Sequence, residues 1–424
     1  MSEPIASAPS PYDSLWDEKL QRDYKAGKRG LASNRQSVNI ALPPAVVFAK
    51  LPDPSGGQYH RFTEKGVELL RQGKLGVIHL SGGLATRFGQ IKATYELAEF
   101  GGRMRTFLEL KIGHVLWACN KYGGAVPCGL MNSPMTEPVT NKFLCDNKRF
   151  GLAEGRLITY VQSVLRRKMP VRVDIDEFFS DRGRNDDRMK NLKHVQGKEW
   201  EFCDPIQWAP GGHFDAIASL IFSRALGKFL AAGVEYLQIS NIDNLAAMID
   251  PAILGMFGAG QHELMVEVAL KKPGDRGGIP VLLDSKGVVL MEEFALPKDF
   301  DATKVQQFNT ATYWIRTSRI LKFFGLSQKD LKVLPDAALI ERVRRVRQRI
   351  PAYTILKEVE GFLVVQHEQL LGDLTKLYLE DTGQSAAYLL IDTDKRFIPV
   401  KTKEDLKKEA SRIRAVLEGR VSLR

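Results

Sequence analysis

The sequence has few of the features that mark a secreted, metal-clustered or membrane protein. Among 424 residues there are four cysteines, and none forms a C-x-x-C pair, so neither a disulfide framework nor a zinc motif is predicted. Apolar runs such as residues 76–80 are far shorter than the roughly 20 residues that cross a bilayer. Residues 1–12 lack the basic segment and apolar core of a secretory signal. We therefore expect a cytoplasmic protein with no membrane partner.

Charge is plentiful, but it is not arranged as in nucleic-acid-binding proteins. The net charge is +11, which suits phosphorylated partners in general. Basic residues alternate with acidic ones, as in residues 182–198, and have no regular aromatic partners on which bases would stack. The densest basic cluster, residues 342–349, follows a helical pattern typical of a solvated face. The sequence favours small phosphorylated ligands and no nucleic acid.

The chain divides into three segments by texture. Residues 1–72 are mostly polar and helical, and residues 336–424 combine a helix at 337–349, a strand pair and a charged helix at 403–418. Between them, residues 73–335 alternate amphipathic helices such as 216–232 with apolar runs, a pattern typical of βαβ units and parallel sheets. These predicted strands are residues 75–80, 126–131, 157–161, 234–239 and 264–270.

A different pattern begins near residue 278. Two strand-like runs, 280–283 and 288–292, flank the turn tetrapeptide at 284–287 and predict an antiparallel hairpin. We therefore expect an α/β fold with a Rossmann-like mixed central sheet and helices on both faces. There is no internal repeat, and no C-terminal β-helix is predicted.

Three motifs carry candidate chemistry. The first is the glycine-rich loop at residues 80–89, directly after the first predicted strand. Gly82 and Gly83 let backbone N–H groups approach a phosphate, and Arg87, Lys92 and Lys111 are nearby cations. The spacing fits neither the dinucleotide-binding fingerprint nor the Walker A loop.

The second motif, residues 239–244, follows another predicted strand. Ligands of open α/β sheets bind at the carboxyl ends of strands, where Asp243, followed by an amide side chain, can hold Mg²⁺ against phosphate oxygens. Alternatively, Asn244 caps a helix that begins near Ala247.

The third motif, residues 208–215, is a glycine-rich turn that opens a helix. Gly212 and His213 stand where free N–H groups receive a phosphate or the edge of a base. A tight loop in which Asp215 caps the helix is the other interpretation.

Together these segments resemble the UTP:sugar-1-phosphate uridylyltransferase family, in particular its eukaryotic-type UDP-glucose pyrophosphorylases, in colinear order over residues 73–406. The resemblance implies a glycosyltransferase-A-like fold and a reaction of UTP with glucose 1-phosphate that yields UDP-glucose and pyrophosphate by direct attack at the α-phosphorus. It further implies Mg²⁺ on Asp243 and catalytic roles for that residue and for Lys92, Lys401 and Arg87. The substrate-binding residues it implies are Gly82, Gly83, Gln162, Gly212, His213, Asn241, Gly278, Glu292 and Asn309.

The sequence departs from the family pattern at four places, and they keep alternatives open. Ala85 and Phe214 replace glycines, Ile91 replaces a proline, and Ala311 with Thr312 replaces an asparagine pair. One alternative is a UDP-N-acetylhexosamine or broad-specificity UDP-sugar pyrophosphorylase. Another is a catalytically silent nucleotide-binding homologue. A third is a glycosyltransferase that uses the D-x-D sequence at residues 174–176, although a solvated loop is the preferred interpretation of that stretch.

Overall fold

The structure, a computed structural model, describes residues 13–83, 91–180, 207–272, 275, 277–359 and 361–423. The strands, numbered along the chain, are β1 Ile40–Ala41, β2 Phe48–Ala49, β3 Leu75–Leu80, β4 Glu96–Phe100, β5 Arg103–Thr106, β6 Cys128–Asn132, β7 Leu157–Val161, β8 Val164–Arg166, β9 Trp208–Pro210, β10 Tyr236–Asn241, β11 Leu264–Leu270, β12 Ile279–Leu283, β13 Gly287–Met291, β14 Gln307–Arg316, β15 Tyr353–Val359, β16 Phe362–Glu368 and β17 Ala387–Leu390. The helices within the described ranges are α1 Ser14–Lys25, α2 Gly57–Arg71, α3 Phe107–Tyr122, α4 Glu137–Asp146, α5 Arg172–Ser180, α6 Asp215–Phe222, α7 Ala225–Ala231, α8 Pro251–Ala259, α9 Thr317–Phe323, α10 Asp330–Val333, α11 Asp336–Arg347, α12 Leu374–Thr382, α13 Thr393–Arg396 and α14 Lys403–Leu417.

An eight-stranded mixed sheet forms the centre of the protein, in the order β2-β17-β11-β14-β10-β3-β6-β7. Seven of these strands run in one direction, and β14 is antiparallel to both of its neighbours. The run of branched apolar residues in β3 is buried along nearly its whole length, as expected for a parallel strand covered on both faces.

Helices cover both faces of the sheet. Alternate side chains of β3 point to opposite faces, so that Val77 joins one apolar cluster and Ile78 joins the other. The first cluster is closed by α2, α3 and α8, and the second by α6, α7, α9, α11 and α12. The predicted layered architecture is confirmed.

Two details differ from the sequence-based expectation. The hairpin β12–β13 does not join the central sheet; it pairs with β1 in a separate three-stranded sheet, and the antiparallel strand of the central sheet is β14. The helix expected over residues 216–232 is broken at Arg224, whose φ is +59°. Its guanidinium donates to the Leu331 carbonyl at 2.6 Å and to Asp336 at 2.6 Å, and these distant contacts hold the break.

The outer segments contribute strands to the central sheet. β2, from the N-terminal segment, pairs with β17, from the C-terminal segment, and β17 pairs with β11. The division of the chain at residues 72 and 335 stays a prediction from texture. Among the described residues, every helix is too short or too polar to traverse a bilayer.

Candidate active site

Four neighbouring parallel strands end in register at one edge of the sheet. Asn241 at the end of β10 pairs with Leu80 of β3, Leu80 pairs with Met131 of β6, and Asn132 pairs with Val161 of β7. The glycine-rich loop that begins at residue 80 follows β3, the motif at residues 239–244 (the acidic motif) lies at the end of β10, and Gln162 follows β7. Candidate residues from distant parts of the sequence therefore meet along a single edge.

Lys92 and Asp243 lie in direct contact at this edge. The Lys92 Nζ donates to Asp243 Oδ2 at 2.8 Å, and both side chains are mostly buried. Ile91, just before, has φ −62° and ψ 124°, which are values that a proline adopts. The departure at residue 91 therefore preserves the backbone that presents Lys92.

The C-terminal segment is tied to the same loop. The fully buried Asn244 donates from Nδ2 to the Arg396 carbonyl at 3.3 Å and accepts from the Ile398 N–H at 3.0 Å. The Val400 N–H donates to the Asp243 carbonyl at 3.1 Å. Lys401, which is exposed, directly follows the residue that is bonded to the Asp243 backbone. The capping role considered for Asn244 is wrong, because the next helix, α8, is capped by Asp250.

Lys111 has a different role from the phosphate-facing cation considered for it. It is buried and donates to the carbonyls of Asn244 at 2.5 Å and Ala247 at 3.2 Å. Burial lowers the pKa of its ammonium to about 7, against the opposing effect of Asp243. Lys111 therefore stabilises the backbone that follows Asp243, from within the core.

Gly82 and Gln162 are packed against one another. An added Cβ at Gly82 would stand 2.4 Å from Gln162 Nε2, closer than any real contact, so only glycine permits this position of the amide. Around Gly83 no atom of a described residue, apart from its neighbours in the chain, lies within 4 Å of the corresponding Cβ position. Gly82 thus leaves room for the Gln162 amide.

The Gly212–His213 turn is held by the chain segment after β16. Gly212 has φ +100°, and a Cβ there would come within 2.2 Å of the Gln369 carbonyl oxygen. His213 Nδ1 accepts from the Leu371 N–H at 2.8 Å, and burial lowers the pKa of the imidazole, so the ring is neutral at pH 7. Phe214 has φ −55° and is fully buried, so this departure needs no glycine.

The sugar-side candidates form a second group. An added Cβ at Gly278 would lie 2.9 Å from Glu292 Oε1, and the Asn309 N–H donates to the Gly278 carbonyl at 2.8 Å. Tyr313 pairs with Ile239 in the antiparallel β14–β10 ladder, so Asn309, four residues earlier, lies at the edge where β10 ends. Asn309 Nδ2 donates to the Tyr313 hydroxyl at 2.7 Å.

Acidic groups with raised pKa values surround this second group. Burial, and then repulsion from Glu293 and Glu368, raises the pKa of Glu292 to about 7. Asp373, which belongs to none of the sequence motifs, is buried; it accepts from the Tyr353 hydroxyl at 3.0 Å, and burial raises its pKa to about 8. Its Oδ2 has no hydrogen-bond partner among the described residues.

Sequence reasoning also missed a buried ion pair next to Gln162 and the Gly212–His213 turn. Asp215 is the first residue of α6 and caps nothing; it binds Ser163 and Arg347 instead. Arg347 belongs to the basic cluster at 342–349 that the helical pattern assigned to a solvated face, yet its side chain is 3% exposed. For this residue the solvated-face interpretation is wrong.

The remaining candidates are resolved by position. Arg87 and Ala85 lie outside the described residues. Asp174 is buried in α5, where it accepts from the Tyr24 hydroxyl at 2.7 Å and the Leu31 N–H at 2.9 Å, and Asp176 pairs with Arg172. Residues 174–176 are therefore a helical tether to the N-terminal segment and not a solvated loop, and the D-x-D sequence has no metal-binding geometry.

The protein has an α/β fold, and its candidate site residues lie at the carboxyl ends of parallel strands, where ligands of open α/β sheets bind. The model of the UTP--glucose-1-phosphate uridylyltransferase family matches residues 49–423. The chain belongs to this family of nucleotidyltransferase enzymes. The UTP--glucose-1-phosphate uridylyltransferase of Saccharomyces cerevisiae is 26% identical over 84% of this chain and 63% of its own length. That of Solanum tuberosum is 27% identical over 78% of this chain and 60% of its own length.

Solved structures share the fold. The Trypanosoma brucei UDP-glucose phosphorylase has a TM-score of 0.64 at 24% identity, over 92% of this chain and 73% of its own. The uridine diphosphate N-acetylglucosamine pyrophosphorylase of the same organism also has a TM-score of 0.64, at 18% identity, over 93% and 75%. At these identities the likeness establishes the architecture alone.

Proposed function

We propose that this chain is a uridylyltransferase that converts UTP and glucose 1-phosphate to UDP-glucose and pyrophosphate. The observation that carries the proposal is the contact of Lys92 with Asp243, with the segment before Lys401 bonded to the same loop. The Lys92 side chain, the Asp243 carboxylate and the backbone next to Lys401, from three parts of the chain, lie together at this edge. Such an arrangement suits two polyanionic substrates that repel one another.

The residues present fit a magnesium ion held largely by substrate. Among residues within the described ranges, no group of three or more His, Cys, Asp or Glu side chains forms a metal site. Mg²⁺ commonly takes one or two carboxylates and completes its shell with phosphate oxygens and water, and Asp243 supplies one carboxylate. When bound, the ion neutralises phosphate charge at the reacting centre.

The chemistry needs no protein nucleophile. An oxygen of the sugar phosphate forms a bond to the α-phosphorus of UTP, and the bond from that phosphorus to the departing pyrophosphate oxygen breaks. Lys92 and Lys401 hold and neutralise the phosphates, and the N–H groups around Gly82 and Gly83 receive the nucleotide. Catalysis by these residues consists of positioning and charge neutralisation, as in phosphoryl transfer generally.

Recognition of the two organic groups is proposed for opposite parts of the edge. Gln162 reads the uracil, with Gly212 and His213 packed beside the base. Glu292 accepts hydrogen bonds from sugar hydroxyls, and Gly278, Asn309 and Asn241 complete the surroundings. An N-acetylhexosamine 1-phosphate is the second candidate sugar, because Ala311 and Thr312 stand where the resemblance places two asparagines.

The test is a panel of sugar 1-phosphates with UTP, scored by pyrophosphate release with and without Mg²⁺. Glucose 1-phosphate is expected to give the highest kcat/KM, and removal of Mg²⁺ is expected to abolish release. A higher value for N-acetylglucosamine 1-phosphate would establish the second candidate. If none of the sugar phosphates in the panel gives pyrophosphate release, uridylyl transfer to a sugar is refuted.

A further inference from the structure

Asp215 is one of the most deeply buried charged residues in the protein. Its side chain is 1% exposed. The carboxylate is nevertheless hydrogen-bonded to Ser163, next to a residue proposed to bind the nucleotide. Asp215 Oδ2 accepts from the Ser163 N–H at 2.7 Å and from the Ser163 hydroxyl at 2.6 Å. Ser163 directly follows Gln162, the residue proposed to read the uracil.

Arg347 supplies the compensating charge from a distant part of the chain. It donates to Asp215 Oδ1 and, at 2.8 Å, to the Ser163 hydroxyl oxygen. The serine hydroxyl therefore donates to the carboxylate and accepts from the guanidinium, which fixes its orientation. A third contact of 3.3 Å joins Arg347 to Gln369, whose backbone packs against Gly212.

The network holds the residues around the predicted base site from two sides. The Gly211 N–H donates to the Ser163 carbonyl at 3.1 Å, and the Gln369 N–H donates to the Gly211 carbonyl at 3.0 Å. An added Cβ at Gly211 would lie 3.0 Å from the Ser163 hydroxyl, so little slack remains. A shift of Ser163 would move both Gln162 and the Gly211–Gly212 turn.

Burial makes this network depend on Arg347. Burial raises the pKa of Asp215, and the arginine and the serine bonds oppose that rise. A buried carboxylate that loses the arginine paired with it is strongly destabilised and must protonate or move. Either response changes the hydrogen bonds that hold Ser163.

We propose that Arg347 is a positioning residue for uracil recognition, which it supports through the buried contacts Arg347–Asp215–Ser163 without touching the nucleotide. The proposal rests on the uridylyltransferase function and adds a residue to its nucleotide specificity. It also explains why a helix of the C-terminal segment bears on a site formed mainly by residues 73–335.

The experiment compares Arg347→Met with Arg345→Met in the full chain. Arg345 lies on the same helix, is 65% exposed and pairs with Glu341 on the helix surface. Binding of UTP and CTP is measured by calorimetry, and KM and kcat are measured with glucose 1-phosphate. Arg347→Met is expected to weaken UTP binding roughly 30-fold and to reduce the preference for UTP over CTP roughly tenfold, with kcat within about threefold of the wild type. Arg345→Met is expected to match the wild type.

Two further variants separate positioning from general loss of fold. In Asp215→Asn/Arg347→Met no buried charge is left unpaired, so part of the lost UTP affinity is expected to return. Arg347→Lys keeps the charge but not the two-pronged geometry, and is expected to give an intermediate loss. If Arg347→Met does not fold, these two variants decide the question in its place.

Unchanged UTP affinity and unchanged UTP/CTP preference in folded Arg347 variants would overturn the positioning role while leaving the uridylyltransferase function intact. A kcat that falls in parallel with UTP affinity, without a change in nucleotide preference, would also overturn it. A wild-type protein that binds no uridine nucleotide would instead refute the function on which the inference depends.

Discussion

The two ends of the candidate site are built differently. The nucleotide end is the group proposed to bind UTP (Gln162, Gly212 and His213), and the sugar end is the group proposed to bind the sugar (Gly278, Glu292 and Asn309). At the nucleotide end the buried charges are paired, as in Asp215 with Arg347, and glycines fit closely against their neighbours. At the sugar end Glu292 and Asp373 have raised pKa values and Asp373 Oδ2 lacks a partner among the described residues. Ala311 adds a backbone in the left-handed region, with φ +57°.

The contrast indicates which half of the site is preorganised. Paired charges and tight glycine contacts fix one geometry before the ligand arrives, which reduces the cost of ordering on binding. Two buried acids with raised pKa values, one of which has an oxygen without a partner among the described residues, and a strained residue store free energy that a ligand can release or exploit. We therefore expect substitutions at the nucleotide end to damage both stability and binding, and some at the sugar end to raise stability.

The largest expected effect concerns the junction between the two ends. Lys401→Ala is expected to lower kcat by roughly 10²- to 10³-fold, because a cation that neutralises transferring phosphate is removed. Folding is expected to be unaffected, because the side chain is exposed. Lys403→Ala, two residues further and also exposed, is the control in a pyrophosphate-release assay. Wild-type turnover in Lys401→Ala would remove this lysine from the mechanism.

Gly212→Ala tests the tight packing of the nucleotide end. The added methyl group would meet the Gln369 carbonyl oxygen at 2.2 Å, in a backbone conformation that disfavours alanine. A loss of about 3 kcal/mol in the free energy of unfolding is expected from urea denaturation. Gly233→Ala is the matched control, since Gly233 has φ +83° but, chain neighbours aside, no atom of a described residue within 4 Å of the Cβ position, and it should cost only about 1 kcal/mol. Equal losses in the two variants would show that backbone strain alone is at work.

Asp373→Asn tests the sugar end in the opposite direction. The pKa of Asp373 is about 8 in the folded protein against 3.8 for the unperturbed carboxyl. Between these values the folded state binds more protons than the unfolded state, so wild-type stability falls as pH rises. The variant lacks that fall, and is expected to be more stable by roughly 4 kcal/mol at pH 7 and by little near pH 4. A difference in unfolding midpoint that does not change with pH would contradict the burial of an ionisable group here.

Ala311→Gly should give the smallest effect. Glycine adopts φ +57° without the penalty that alanine incurs, so a gain of about 0.5–1 kcal/mol is expected from thermal or urea unfolding. In Ala387→Gly, within β17, the same change should instead destabilise by a similar amount. A loss at both positions would mean that the backbone at residue 311 is unstrained.

Local features of the sequence predicted much of this arrangement. The expected strands at 75–80, 157–161 and 264–270 coincide with β3, β7 and β11, because short branched apolar runs bury themselves wherever the sheet forms. The glycine-rich loop, the acidic motif and the segment around Lys401 were selected from residues and resemblance. The structure brings Lys92, Asp243 and the segment before Lys401 together, and their catalytic roles stay predictions.

What the pattern of residues did not reveal depends on contacts between distant parts of the chain. Arg347 has the same helical texture as its exposed neighbours, and its partner Asp215 lies 132 residues away. Asp373 shows no motif, and its raised pKa arises from burial. The break at Arg224 is stabilised by carbonyls more than 100 residues further along the chain.

By itself, the sequence determined the strands, the loop chemistry at their ends and the family to which the chain belongs, because hydrophobic periodicity and glycine placement act over a few neighbouring residues. Only the tertiary structure decided which charges are paired and which carboxyl oxygen lacks a hydrogen-bond partner among the described residues. It also decided which arginine of the cluster at 342–349 is buried in an ion pair. Burial sets the energy of each of those groups, and burial exists only once residues far apart in the chain have packed together.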